Sequence, residues 1–149
     1  MWATIGSWDW LHPMKFELQR VQFMPKDLQP GILYLSEEFG IAIHLCACGC
    51  GSKIRTPLGP TEWAVQGTDL EPTLYPSIGN WQLPCRSHYW ITDGEAVWAP
   101  QWSDAQVAAG RRGEESRRRH YFDRAGRTEG SAKGGLWAWI KKCFSIFRR

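Results

Sequence analysis

Ile41-Ala42-Ile43-His44-Leu45-Cys46-Ala47-Cys48-Gly49-Cys50-Gly51 changes character halfway along. The first half is short, apolar and β-branched, as a half-buried strand is. The second half sets cysteines at alternate positions, with glycines that let the backbone turn tightly enough for neighbouring sulfurs to converge. A strand running into a cysteine turn predicts a small β-domain stapled by a metal ion.

The flanking sequence extends the β pattern. Phe16-Glu17-Leu18-Gln19-Arg20-Val21-Gln22-Phe23 alternates in part, and the Pro30-Gly31 turn leads into Ile32-Leu33-Tyr34-Leu35. Glu37-Glu38-Phe39-Gly40 breaks the chain before Ile41. Trp63-Ala64-Val65-Gln66, Thr73-Leu74-Tyr75, His88-Tyr89-Trp90-Ile91-Thr92 and Ala96-Val97-Trp98 follow, and Asp93-Gly94 marks a hairpin between the last two. Short strands separated by turns every eight to twelve residues predict a mainly β fold, a small antiparallel sheet or barrel. Most of the ten tryptophans then serve as core, because aromatic rings give a small domain large buried area.

At 149 residues and 43% hydrophobic, the chain is sized for one domain with appendages and can build a core. Charge is unevenly placed: residues 1–100 carry net −4 and residues 101–149 net +7. All nine prolines lie at or before Pro100, and the tail is rich in Arg, Ala and Gly. The expected organisation is an N-terminal extension over 1–14 and a zinc-binding β domain over 15–100. A basic helix over 101–125 opens at the N-cap Ser103, a flexible glycine-rich linker spans 126–135, and an amphipathic C-terminal helix spans 136–149. In that last segment Leu136, Ile140, Cys143, Phe144 and Phe147 share a face beside Lys141, Lys142, Arg148 and Arg149. It is too short for the roughly 18 to 20 residues that cross a bilayer, and suits a membrane surface or a partner protein. Cys143 reads as a buried thiol.

An odd count of five cysteines, three of them clustered, is no disulfide framework. Met1-Trp2-Ala3-Thr4-Ile5 lacks a basic segment followed by an apolar one, so a cytoplasmic protein is expected, with a peripheral membrane contact as the variant. Zn²⁺ takes four thiolate or imidazole ligands in a tetrahedron. His44, Cys46, Cys48, Cys50, Cys85 and His88 are the candidates. Cys85 and His88 differ by three positions and point apart in an extended chain, which favours Cys46, Cys48, Cys50 and Cys85 as ligands. A bend at Arg86 would instead let His88 replace a cysteine. Four thiolates leave no open position for water, so the zinc is structural.

His44, Ser77, Ser87 and His88 remain for other chemistry. A serine nucleophile needs a histidine to take its proton and N–H donors to hold the oxyanion. Ser77 with His88 is the first pairing, with Asn80 as an added donor, and Ser87 with His44 the second. On the residues alone, loop serines bonded to local backbone and structural histidines are the commoner explanation. No phosphate loop, dinucleotide fingerprint or paired-carboxylate arrangement is present.

The runs His44 to Gly51, Thr56-Pro57-Leu58, Tyr75-Pro76-Ser77-Ile78-Gly79-Asn80-Trp81 and Pro84-Cys85-Arg86-Ser87-His88-Tyr89-Trp90-Ile91 together resemble a bacterial family of formerly unknown function, the BubE-like peptidases of ubiquitin-like conjugation operons. The resemblance covers roughly residues 20 to 100. It implies a zinc-stabilised serine hydrolase, a peptidase or isopeptidase acting on a ubiquitin-like protein or its conjugates. It also implies that Ser77 and His88 are catalytic, with His44 and Ser87 in reserve. The alternative is a non-catalytic zinc-binding interaction module whose tryptophans, Trp81 and Trp90 among them, contact a partner. Arg117-Arg118-Arg119-His120-Tyr121-Phe122 has the composition of a nucleic-acid contact. The solvated face of a helix explains it better, and the acidic main domain disfavours nucleic acid further.

Overall fold

The computed structural model describes residues 14–146, with side chains described through residue 127. Eight strands precede one helix: β1 (Glu17–Arg20), β2 (Ile32–Ser36), β3 (Ile41–Leu45), β4 (Lys53–Pro57), β5 (Ala64–Gly67), β6 (Pro72–Gly79), β7 (His88–Thr92), β8 (Glu95–Trp98) and α1 (Asp104–Ile146). They form two four-stranded sheets, ordered β1-β2-β3-β4 and β5-β6-β7-β8. All pairings are antiparallel except β1 with β2. Isolated bridges Lys15↔Glu95 and Leu58↔Trp63 join the sheets at both margins, so the strands approach a closed barrel and few edges are left open. The fold is mainly β, as the strand periodicity predicts.

Side chains from both sheets fill the interior. Phe16, Leu33, Ala42, Cys46, Ile54, Leu74, Tyr89 and Ile91 belong to one buried cluster. In β3 that cluster takes Ala42 rather than the isoleucines, and His44 is fully buried too. The sequence reading does not contain β4. Its pattern is regular, with Ile54 and Thr56 buried between exposed Lys53, Arg55 and Pro57, but it holds one aliphatic side chain and so gives little apolar signal. The β7–β8 hairpin turns on Asp93 (φ 48°) and Gly94 (φ 76°), the two positive dihedrals a type I′ turn requires.

The chain divides into two compact units, Met1–Trp102 and Ser103–Arg149. The second begins with a reciprocal cap. Gln106 N–H donates to Ser103 Oγ (3.3 Å), and Ser103 N–H donates to Gln106 Oε1 (2.8 Å). Helix α1 then continues through 126–135, where the glycines predict a linker. The expected N-terminal extension lies almost wholly outside the described residues, as do the side chains of the 136–149 segment. Among the described residues, no helix is long and apolar enough to cross a membrane.

Candidate functional site

Strand β6 is irregular where it carries the candidate serine. Leu74 pairs with Ile91, but Ile78 pairs with Tyr89, so three residues of β6 face one of β7. Pro76 cannot donate to the ladder, which suits it to such a bulge, and bulges re-aim the side chains beside them. Beyond the bulge Gly79 sits opposite His88. Counting back by strand alternation puts Ser77 on the face of Gly79 and diagonal to His88.

The result is a hydrogen bond between Ser77 Oγ and His88 Nε2, 3.1 Å apart. His88 Nδ1 lies 2.7 Å from the Pro100 carbonyl oxygen. A carbonyl only accepts, so Nδ1 carries the ring proton and Nε2 presents its lone pair to the serine hydroxyl. His88 is 3% exposed, while Ser77 is half-buried. Three indoles lie near the imidazole, with ring centroids at 4.9 Å for Trp81, 5.2 Å for Trp102 and 5.8 Å for Trp90. Trp81 and Trp102 stack on each other at 5.7 Å and 12°. Trp81 fits because its neighbour is glycine: a Cβ on Gly79 would collide with the indole, 2.7 Å from Cε2.

Cys46, Cys48, Cys50 and Cys85 form a second cluster, all four sulfurs within 4.8 Å of one another. Around one ion at about 2.3 Å, four sulfurs of a regular tetrahedron stand about 3.8 Å apart. The cluster can therefore close on a metal with small adjustments. The 46–52 turn gathers three of them: Cys46 N–H donates to Ser52 O (2.9 Å), and Gly49 N–H donates to Cys46 O (3.0 Å). Cys85 arrives from the segment before β7, where Arg86 adopts φ 44°. That is the bend that could have turned His88 toward the sulfurs, yet His88 faces Ser77.

Neither Ser87 nor His44 joins the Ser77–His88 pair. Asn80 Nδ2 donates to Ser87 Oγ (2.7 Å), which leaves the Ser87 hydroxyl to donate to Cys46 Sγ, 3.1 Å away. Asn80 also points at Cys46 Sγ (3.7 Å), so it supports the sulfur cluster and not an oxyanion at Ser77. His44 Nε2 lies 2.9 Å from Tyr89 Oη, and its Nδ1 is buried without a partner. Burial pushes the His44 pKa down to about 3, so the ring is neutral. Burial also pushes the Cys46 and Cys48 thiols and the Tyr89 hydroxyl up. The Ser52 hydroxyl, 3.2 Å from Cys50 Sγ, brings that thiol down to about 6. A bound cation would oppose the effect of burial by stabilising thiolates.

Trp102 and the Pro100 carbonyl lie against His88 at the candidate site, and the sequence pattern does not point to either. A carbonyl leaves no trace in residue type, and Trp102 is one tryptophan of ten.

Fold and site together define a small β protein that sets a serine–histidine pair beside a four-cysteine cluster able to hold a metal ion. The model of the BubE family, described as bacterial ubiquitination-like system serine protease, matches residues 20–99, and the chain belongs to that family. No curated protein and no solved structure matches it.

Proposed function

We propose that the chain is a zinc-stabilised serine peptidase or isopeptidase that cleaves at the C-terminal tail of a ubiquitin-like protein. The observation that carries this is the tautomer-fixed pair: Ser77 Oγ at 3.1 Å from His88 Nε2, with Nδ1 held at 2.7 Å by the Pro100 carbonyl. The family description, a serine protease of a bacterial ubiquitination-like system, supports a ubiquitin-like substrate.

The chemistry follows from that geometry. Ser77 Oγ attacks the scissile carbonyl carbon while His88 Nε2 takes the hydroxyl proton. The tetrahedral intermediate collapses as His88 returns the proton to the departing amine, leaving an acyl ester on Ser77. Water, deprotonated by the same Nε2, then releases the carboxylate and restores the serine. The Pro100 carbonyl keeps Nδ1 protonated throughout, the orienting part a buried carboxylate plays in a Ser-His-Asp triad. Cys46, Cys48, Cys50 and Cys85 suit Zn²⁺, whose ligand shell they would fill, so the ion's contribution is to hold the fold.

A fluorophosphonate probe tests the nucleophile directly. The metal-loaded chain is expected to be labelled and to cleave a ubiquitin-like fusion. Ser77→Ala and His88→Ala are each expected to lose about 10³-fold or more in kcat with metal content unchanged. A folded, metal-loaded wild type that neither reacts nor cleaves, but binds the ubiquitin-like protein in calorimetry, would replace the peptidase with the interaction module.

A further inference from the structure

Three successive contacts fasten the segment 99–102 to one residue. Ala99 N–H donates to the His88 carbonyl (2.8 Å), the Pro100 carbonyl accepts from His88 Nδ1 (2.7 Å), and the Trp102 ring lies 5.2 Å from the imidazole. The family match ends at residue 99, so the Pro100 carbonyl and Trp102 fall outside it. Trp102 is 37% exposed and is not part of the buried core cluster, so burial does not account for a large ring placed here.

A single N–H···O bond to a neutral carbonyl restrains Nδ1 only softly, and the ring can still swing by small changes of its Cα–Cβ and Cβ–Cγ torsions. Swinging carries Nε2 off the Ser77 hydroxyl, and proton transfer depends steeply on that alignment. A carboxylate would hold the ring with charge, and a neutral carbonyl cannot. Rings packed against the imidazole supply the missing restraint. Trp81 lies 4.9 Å away and stacks on Trp102 at 12°, so the two indoles brace each other as well as the histidine.

We infer that Trp102, braced by Trp81, is a positioning residue that sets the plane of the His88 imidazole so that Nε2 faces Ser77. The inference rests on the serine-hydrolase reading above. It makes segment 99–102 the third part of the catalytic unit: its backbone selects the tautomer and its indole selects the orientation.

The test uses the full metal-loaded chain and compares Trp102→Ala with Trp102→Phe. Trp102→Ala is expected to lower kcat about ten- to a hundredfold, the scale of a misplacement of about 1 Å, with KM changed by less than about twofold. Trp102→Phe is expected to restore most of kcat, because a flat ring still packs on the imidazole. The proton on Nδ1, seen by NMR as a slowly exchanging imidazole signal absent from His88→Asn, is expected to broaden or vanish in Trp102→Ala and return in Trp102→Phe. Gly79→Ala displaces the Trp81 indole, the other member of the stacked pair, and is expected to show the same loss in kcat alone. It decides the matter if Trp102→Ala loses its metal or its β signature. Wild-type kcat in Trp102→Ala, or a raised KM with kcat unchanged, overturns the positioning role while leaving the hydrolase intact. A wild type that the fluorophosphonate never labels overturns the hydrolase, and the positioning role with it.

Discussion

Four polar residues with similar sequence credentials divide by their neighbours. Ser77 and His88 meet each other; Ser87 meets Cys46 and Asn80; His44 meets Tyr89. Ser87 and Asn80 thus hold in place a sulfur of the cluster that could bind a metal. Ser87→Ala is expected to weaken metal binding about 10- to 100-fold in a chelator competition while fluorophosphonate still labels the chain. His44 fills interior space. His44→Ala leaves a cavity and removes one of the bonds of the Tyr89 hydroxyl, which keeps the Ala47 N–H at 3.4 Å, and is expected to cost about 2–4 kcal/mol in urea unfolding. Its labelling rate per folded molecule should match the wild type. The sequence put Ser77 with His88 first and Ser87 with His44 second. It gave no ground for Ser87 with Cys46 or His44 with Tyr89, because bonds 41 or 45 positions apart in sequence are settled by how the sheets stack.

Among the elements, the β6–β7–β8 meander does the most. Its bulge aims Ser77, its central strand carries His88, and its last strand runs into Pro100. The hairpin that fixes this register depends on Gly94, whose positive φ is accompanied by backbone oxygens of Leu70 and Phe16, each 3.1 Å from where a Cβ would stand. Gly94→Ala is expected to destabilise by about 1–3 kcal/mol and to lower Tm by roughly 5 °C or more in a calorimetric scan. An unchanged Tm would mean the turn accommodates a side chain. Asp93-Gly94 and the apolar runs made this hairpin legible in advance. The bulge was not, since Tyr75-Pro76-Ser77 reads equally as strand end or loop until its pairing with β7 is known. Strand β4 was missed for the converse reason: Thr56 serves as its second inward residue, bonded to the Ala42 carbonyl at 3.0 Å.

Across the molecule, the cysteine cluster spans the two sheets. Cys46, Cys48 and Cys50 follow β3 of one sheet, and Cys85 precedes β7 of the other. An ion there closes a cross-link between segments some 35 residues apart and anchors the stretch that leads through Ser87 to His88. Under the proposed function, purified protein carries one Zn²⁺ per chain by elemental analysis. Chelation is expected to lower Tm by about 10 °C or more, with loss of labelling and recovery of both on adding Zn²⁺ back. Cys85→Ser should reproduce the chelated state. Metal-free protein with an unshifted Tm would leave the cluster a set of buried thiols.

Sequence alone determined what is local. Apolar alternation set most of the strands, Asp93-Gly94 set a turn, and the cysteine spacing set a turn able to gather three sulfurs. These depend on side-chain period and backbone dihedrals, which neighbouring residues control. Tertiary structure decided that Cys85 completes the cluster, that the Arg86 bend leaves His88 on Ser77, and that a proline carbonyl and a tryptophan beyond the last strand hold the imidazole. Each of these is a meeting of distant segments, whose outcome depends on sheet register, a bulge that breaks the count of faces, and the space a glycine leaves for an indole.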